Sequence, residues 1–315
     1  MQWFAQAPAN IALIKYMGKK NPEKNLPGNP SLSYSLDNLL SHVTLEENTG
    51  KNDIWEPLAI PGAQPFILSV AAQERFLLHL ARLKTYFNYS GTFIVRSSNN
   101  FPHSSGLASS ASSFAALTKC GSLALSELTD SPLPSIETQA TLSRQGSGSS
   151  CRSFFSPWAL WDNETVTALQ LPYMQLIHEV IIISQSEKDV SSSAAHQRIL
   201  TSPNYATRSD RASQNLTLLL DAFSSKDWTT AYQICWREFQ DMHQLFSTCT
   251  QPFSYMTDKS NAALNTVQDL WQRNGDGPIV TMDAGPNIHL LYRMDQADMA
   301  MQFKKDYLTG NYDML

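Results

Sequence analysis

Asn99-Asn100-Phe101-Pro102-His103-Ser104-Ser105-Gly106-Leu107-Ala108-Ser109-Ser110-Ala111-Ser112-Ser113-Phe114 is the stretch that decides how the chain is read. Before it, Thr92-Phe93-Ile94-Val95-Arg96 has the β-branched and aromatic character of a short strand. After it, Leu107, Ala111, Phe114 and Ala115 recur at helical spacing, so a helix begins near Gly106. Pro102 stops the strand, and Gly106 lets the backbone come close to a bound group. Strand, small-residue turn and helix in that order leave free N–H groups at a helix N-terminus, among six hydroxyls. That arrangement suits an anion, a phosphate above all. The same residues also describe a plain serine cap, and on this stretch alone both readings stand. No Gly-x-x-x-x-Gly-Lys-Ser/Thr nucleotide loop occurs. Gly146-Ser147-Gly148-Ser149-Ser150-Cys151 lacks the last glycine of a dinucleotide fingerprint and follows a helical pattern, which excludes that reading.

Outward from the loop, residues 9–16 read as a strand buried on both faces until it reaches Lys15, followed by a turn-rich segment through Pro22, Pro27, Gly28 and Pro30. Ser31-Leu32-Ser33-Tyr34-Ser35-Leu36 alternates as a half-buried strand, and His42-Val43-Thr44-Leu45-Glu46 reads as its hairpin partner. Phe76, Leu77, Leu80 and Leu83 mark a helix over residues 71–87, and another around Ile136–Leu142 runs into Arg144–Ser149. Near residues 170–180 the pattern resets, and Glu179–Ser184 opens a second unit as a buried strand. Leu216, Leu219, Leu220 and Phe223 form one helical stripe, and Trp228, Tyr232, Cys235, Phe239, Met242 and Phe246 another; both read as core. Ile279–Met282 and Ile288–Tyr292 are strands joined at Asp283-Ala284-Gly285-Pro286-Asn287. The expectation is a mixed α+β protein of two domains, residues 1–175 and 176–315.

Composition narrows the partners. With 315 residues, 42% hydrophobic and 10% aromatic, the chain can build real cores and carries no long disordered segment. A net charge of −5 without a Lys/Arg run argues against nucleic acid. No apolar run reaches bilayer length and no signal peptide is evident. Cys120, Cys151, Cys235 and Cys249 are scattered without metal spacing, so neither zinc nor a disulfide framework is expected. A soluble protein of the reducing cytoplasm is the expectation.

Arg144–Arg152 is a second small-residue turn, with three serines, two glycines and two arginines. The guanidinium of Arg152 beside Gly-Ser-Gly-Ser matches paired carboxylate or phosphate oxygens, although an arginine alone is a solvated charge. Asp283, where a strand meets a Gly-Pro turn, reads on position alone as a turn former. On the same basis Lys15 and Lys19 are surface lysines, and His103, His196 and His289 are structural or substrate-edge residues.

Taken together, the motifs resemble the GHMP small-molecule kinase superfamily, and within it the diphosphomevalonate decarboxylases. Asn10-Ile11-Ala12-Leu13-Ile14-Lys15-Tyr16-Met17-Gly18-Lys19 is similar to N-I-A-x-x-K-Y-W-G-K. Asn99–Ser112 is similar to the N-N-F-P-x-x-x-G-L-A-S-S-A-x phosphate loop, Arg144–Ser153 to R-x-G-S-G-S-A-C-R-S, and Asp283–Asn287 is D-A-G-P-N. The motifs keep family order and span nearly the whole chain. The resemblance implies an N-terminal ribosomal-protein-S5-like α/β domain, a C-terminal ferredoxin-like domain and a site between them, in a homodimeric cytoplasmic enzyme. It implies ATP-dependent decarboxylation of mevalonate 5-diphosphate to isopentenyl diphosphate, with release of ADP, phosphate and CO2.

Residue by residue, the resemblance assigns ATP and Mg²⁺ to Asn100, Pro102, Ser104, Ser105, Gly106, Leu107, Ala108, Ser109, Ser110 and Ser112, with Ser109 toward the metal. It assigns the substrate to Tyr16, Met17, Gly18, Lys19, Arg75, Ser147, Gly148, Ser149, Ser150, Cys151, Arg152 and Ser193, and catalysis to Asp283, Lys19 and Arg152. Asp283 would address the C3 hydroxyl. The chain departs from the family at Met17 (usually Trp), Pro30 (inside Asn-Ser-Ser-Leu-Ser), Ala194 (commonly Thr) and His196-Gln197 (usually Gly-Met). These positions lie toward the mevalonate end, so action on mevalonate or its 5-monophosphate, by kinase or decarboxylase chemistry, is the alternative.

Overall fold

A computed structural model describes residues 1–60, 67–101, 109–186 and 188–315. Pro102, His103, Ser104, Ser105, Gly106, Leu107 and Ala108, the body of the expected phosphate loop, lie outside the described residues. The N-terminal half runs β1 (Gln2–Ile14), β2 (Lys19–Asn21), β3 (Leu26–Pro27), β4 (Ser31–Asn48), β5 (Ile54–Pro57), α1 (Val70–Tyr86), β6 (Thr92–Asn99), α2 (Ser109–Leu128), α3 (Ile136–Gly146), β7 (Trp158–Asp162) and β8 (Thr165–Leu169). A 3-10 segment, Gly148–Phe154, links α3 to β7. The sheet order is β5-β6-β4-β7-β8 with β1 also on β4; β5 and β6 are parallel and the remaining pairs antiparallel.

The C-terminal half runs β9 (Leu176–Ile182), α4 (Ser192–Arg198), α5 (Arg208–Ser224), α6 (Trp228–Thr248), α7 (Asp258–Asn274), β10 (Ile279–Met282), β11 (Ile288–Arg293), α8 (Ala297–Phe303) and β12 (Asp313–Met314). Its sheet is antiparallel in the order β10-β11-β9-β12, the strand order of a β-α-β-β-α-β ferredoxin-like unit. The α+β class expected from the sequence is the one observed. Among the described residues no helix is long and apolar enough to cross a membrane, and all four cysteines are free and buried.

One expected element is wrong. Ser31–Leu36 and His42–Glu46 are not a hairpin but two ends of the single strand β4. Both ends pair with β1, whose Ala9 faces Leu36 and whose Pro8 faces Leu40. Asp37-Asn38-Leu39 therefore bulge outward opposite a proline that has no N–H to give, instead of turning the chain back. Asn100 fills the bulge: its side chain accepts from the Leu40 N–H at 2.7 Å and donates to the Asn38 carbonyl at 3.0 Å.

β1 shows why the site forms where it does. From Gln2 to Ala7 its residues alternate between exposed and covered, and from Ala9 to Ile14 all are buried. Ala5 and Ala7 pack with Val43, Phe93, Phe76 and Phe114 beneath α1 and α2. Ile11 and Leu13 join a second core with Phe223 of α5 and Phe239 of α6. The strand thus passes from one half of the molecule into the other. Lys15, where the sequence reading ended the burial, is itself only 1% exposed.

Candidate active site

Beyond the end of β1 lies a cleft of about 880 Å³ lined from both halves of the chain. Its first feature is an ion pair: Lys15 Nζ donates to Asp283 Oδ1 at 2.9 Å. The Lys15 backbone is gripped on both sides. Its N–H donates to Glu238 Oε1 at 3.0 Å, and its carbonyl accepts from Asn29 at 2.9 Å and Arg208 at 3.1 Å. Glu238 of α6 and Arg208 of α5 are ion-paired and fully buried; Arg208 also bonds Asp241 at 2.7 Å, and Asn215 bonds Glu238 at 2.7 Å. A buried charge left alone would be costly, and here each one is matched.

Asp283 sits in the turn between β10 and β11, where the Gly285 N–H donates to its carbonyl at 2.8 Å. His243 of α6 donates from Nε2 to the same carbonyl at 3.1 Å. Asn287, at the far end of the turn, accepts from the Ile183 and Ser184 N–H groups at 2.7 and 3.1 Å, tying the turn to the end of β9. Lys188 donates to the Ala284 carbonyl. Burial pushes the Asp283 carboxyl up, but Lys15, His289 and Arg152 outweigh it, and the carboxyl stays below its ordinary range. Burial lowers the Lys15 ammonium, with Asp283 opposing. The position reading of Asp283 was right about the turn and incomplete about the side chain.

Arg152 comes from the 3-10 segment after α3. It is 4% exposed, donates to Asn10 Oδ1 at 3.1 Å and Ser31 Oγ at 3.0 Å, and lies 5.8 Å from the Trp161 ring centre. Asn10 in turn donates to Ser153 at 2.8 Å, so β1 and β4 orient the guanidinium from behind. Tyr16 packs its ring 4.6 Å from both Trp161 and His196. Its hydroxyl is buried without a partner among the described residues, and burial raises its pKa, so it stays a neutral donor. Gly148 leaves room for that hydroxyl: a Cβ there would stand 2.7 Å from it.

The two small-residue turns meet at this cleft. Ser109 and Ser110 from the start of α2, and Ser147, Gly148 and Ser149, all line it, with Ser147 Oγ 3.5 Å from Ser110 Oγ. Met17, Lys19, Arg75, Arg152, Ser193 and Asp283 line it too. Lys19 donates to Asn25 Oδ1 at 2.7 Å, and Arg75 lies 5.6 Å from the Phe114 ring centre.

Among the described residues, five expected site residues are not part of that lining. Ser150 and Ser112 are wholly buried, their hydroxyls bonded to Ser143 and the Ser147 carbonyl and to Ser41 and the Ser109 carbonyl respectively. Cys151 is buried and donates to the Gly148 carbonyl, its thiol pushed up to about 12 by burial. Asn100 closes the β4 bulge. Gly18 acts through its backbone: φ is +95° and a Cβ would stand 2.4 Å from the Tyr205 hydroxyl. In the other direction, Lys15, which reads on position as a surface lysine, is buried in the site, and Lys188, His243 and the Arg208–Glu238 pair reach it without having been singled out. Lys15 carried a signal, its place in the N-terminal motif; the others carried none.

Among the described residues no group of three His, Cys, Asp or Glu side chains could hold a metal. Mg²⁺ held chiefly through nucleotide phosphates needs no such cage, and the clustered hydroxyls and cations fit a polyphosphate. A mixed sheet beside a β-α-β-β-α-β unit, with a serine-lined cleft between, is GHMP-kinase-type architecture. The Diphosphomevalonate decarboxylase-like N-terminal domain model matches residues 7–169, and the Mevalonate 5-diphosphate decarboxylase C-terminal domain model matches residues 179–314. The chain belongs to the diphosphomevalonate decarboxylase family.

Its fold is similar to that of a mevalonate diphosphate decarboxylase from Legionella pneumophila, at 66% identity and a TM-score of 0.95 over 100% of both chains. It is similar at 28% identity and TM-score 0.87, over 100% of this chain and 96% of the other, to MDDEF in complex with MVAPP, AMPPCP and magnesium. Diphosphomevalonate decarboxylase ERG19 of Gibberella zeae is 32% identical, over 93% of this chain and 81% of its own length.

Proposed function

We propose that the protein catalyses ATP-dependent decarboxylation of mevalonate 5-diphosphate to isopentenyl diphosphate, with release of ADP, phosphate and CO2. One observation carries the reading: an aspartate kept ionised by a buried lysine opens into the same cleft as Arg152 and two serine turns. The family relationship favours this over action on mevalonate or its 5-monophosphate.

Asp283 orients the tertiary C3 hydroxyl and accepts its proton. A carboxylate is a weak base toward an alcohol, but phosphoryl transfer has a loose transition state in which orientation matters more than early deprotonation. ATP with Mg²⁺, when bound, supplies the phosphoryl group that converts the hydroxyl into a leaving group. Ser109, Ser110 and the loop before them would hold it. Once the C3–O bond breaks, the electron pair of the bond to the carboxylate carbon forms the alkene, and CO2 departs. Arg152, Lys15 and Lys188 balance negative charge, an effect worth most where bound substrate excludes water. Tyr16, Lys19, Arg75 and Ser147–Ser149 hold the diphosphate.

The test is a substrate panel of mevalonate, its 5-phosphate and its 5-diphosphate with ATP and Mg²⁺, following CO2. Gas from the diphosphate alone is the expected result; a stable phosphorylated product without gas contradicts it. The homodimer follows from family resemblance and is checked by light scattering at micromolar protein.

A further inference from the structure

Of the positions where the chain departs from the family pattern, Met17 and His196 line the cleft, and only His196 brings nitrogen atoms to it. Its Nδ1 accepts the Gly18 N–H at 2.9 Å. A backbone N–H can only donate, so Nδ1 carries a lone pair and the neutral ring holds its proton on Nε2. An imidazolium would need a proton on Nδ1, would break the bond to Gly18 and would add a positive charge near Lys19. Burial, with Lys19 adding to it, lowers the ring pKa to about 3. Gly18 is tied on its other side as well, its carbonyl accepting the Gly28 N–H at 3.0 Å. Nε2 has no hydrogen-bond partner among the described residues and is not one of their buried unpaired atoms. The ring packs against Tyr16, whose own hydroxyl lacks a partner, at the end of the cleft that holds Lys19 and Arg75.

We propose that His196 is a substrate-recognition residue: fixed by Gly18 as the Nε2-protonated tautomer, it donates an uncharged hydrogen bond to a phosphoryl oxygen beside Tyr16 and Lys19. Neither residue of the family's usual Gly-Met pair offers such a side-chain donor. That the oxygen belongs to mevalonate 5-diphosphate rests on the decarboxylase reading; the donor and its tautomer do not.

Two substitutions separate recognition from simple support of Gly18. Asparagine places its carbonyl near the Nδ1 position and keeps the acceptor for Gly18; glutamine places its amide near Nε2 and keeps the donor. With dissociation constants for mevalonate 5-diphosphate measured by calorimetry, His196→Gln is expected within about twofold of wild type and His196→Asn weaker by about tenfold, the loss of a hydrogen bond to a charged group. The reverse order overturns the proposal, as does His196→Asn binding like wild type.

A second readout does not depend on turnover. In histidine-labelled protein at neutral pH, the His196 nitrogens should show the Nε2-protonated form, and inorganic pyrophosphate should move the Nε2 resonance. A ring protonated on Nδ1, or an Nε2 resonance that pyrophosphate leaves unchanged, overturns it. If pyrophosphate moves the resonance while wild type releases no CO2 from mevalonate 5-diphosphate, the proposed reaction fails and the His196 assignment stands.

Discussion

Lys15 sets the state of the carboxylate proposed to address the substrate. Its ammonium is 2.9 Å from Asp283, which keeps the carboxyl below its ordinary range against the opposing effect of burial. Lys15→Met is therefore expected to raise the Asp283 pKa. In the variant the acid limb of kcat moves to higher pH than in wild type, and kcat at pH 7 falls by about a hundredfold or more. A pH–rate series on both proteins checks the shift, and coincident acid limbs would contradict it. At this scale the sequence was half legible. Tyr16, Arg152 and Asp283 stand in short motifs whose chemistry is local. Lys15 looked like a surface lysine because nothing within a few residues shows that β10, β11 and α6 close over the end of β1.

Helices α5 and α6 grip the end of β1 through charge, a role that their apolar stripes conceal. The stripes of Leu219, Phe223, Phe239 and Phe246 are the buried core their spacing suggested. Arg208 and Glu238, on the same two helices, would pass for solvated charges in any periodicity argument, yet both are buried and bonded to the Lys15 backbone. Glu238→Leu alone leaves Arg208 buried without its main partner, and a loss of about 3–5 kcal/mol is expected. Adding Arg208→Met should restore most of that stability, since an apolar pair of similar volume replaces an ion pair well. Turnover should stay low in the double variant, because the Lys15 N–H has lost Glu238 and its carbonyl keeps only Asn29. Urea unfolding beside CO2 release separates the two effects; recovery of both together would contradict the grip. The missed geometry of β4 has a similar origin. Asp37-Asn38 has turn chemistry, and only the partner strand, with Pro8 opposite, shows that the chain bulges there and continues.

Across the whole molecule, buried histidines make folding sensitive to acid. Burial lowers His79 to about 3 and His243 and His289 to about 4. All three are neutral when folded and take up a proton near pH 6.5 when unfolded, so unfolding binds protons below that value. Stability is complete above pH 6.5 and falls as pH drops toward 4, by up to about 1.4 kcal/mol per pH unit for each histidine. The urea midpoint at pH 5 should lie well below that at pH 7; equal midpoints would contradict the assignment of neutral rings.

Turns about 130 residues apart in the chain, at Ser147–Arg152 and Asp283, reach one cleft because β1 crosses between the two cores and carries Lys15 to the junction. The most direct measurement is single-turnover CO2 release from mevalonate 5-diphosphate by wild type and Asp283→Asn, with ATP affinity measured alongside. An orienting carboxylate predicts unchanged ATP binding and a rate lowered by about a thousandfold or more. A variant rate within tenfold of wild type would mean that Asp283 does not face the reacting hydroxyl.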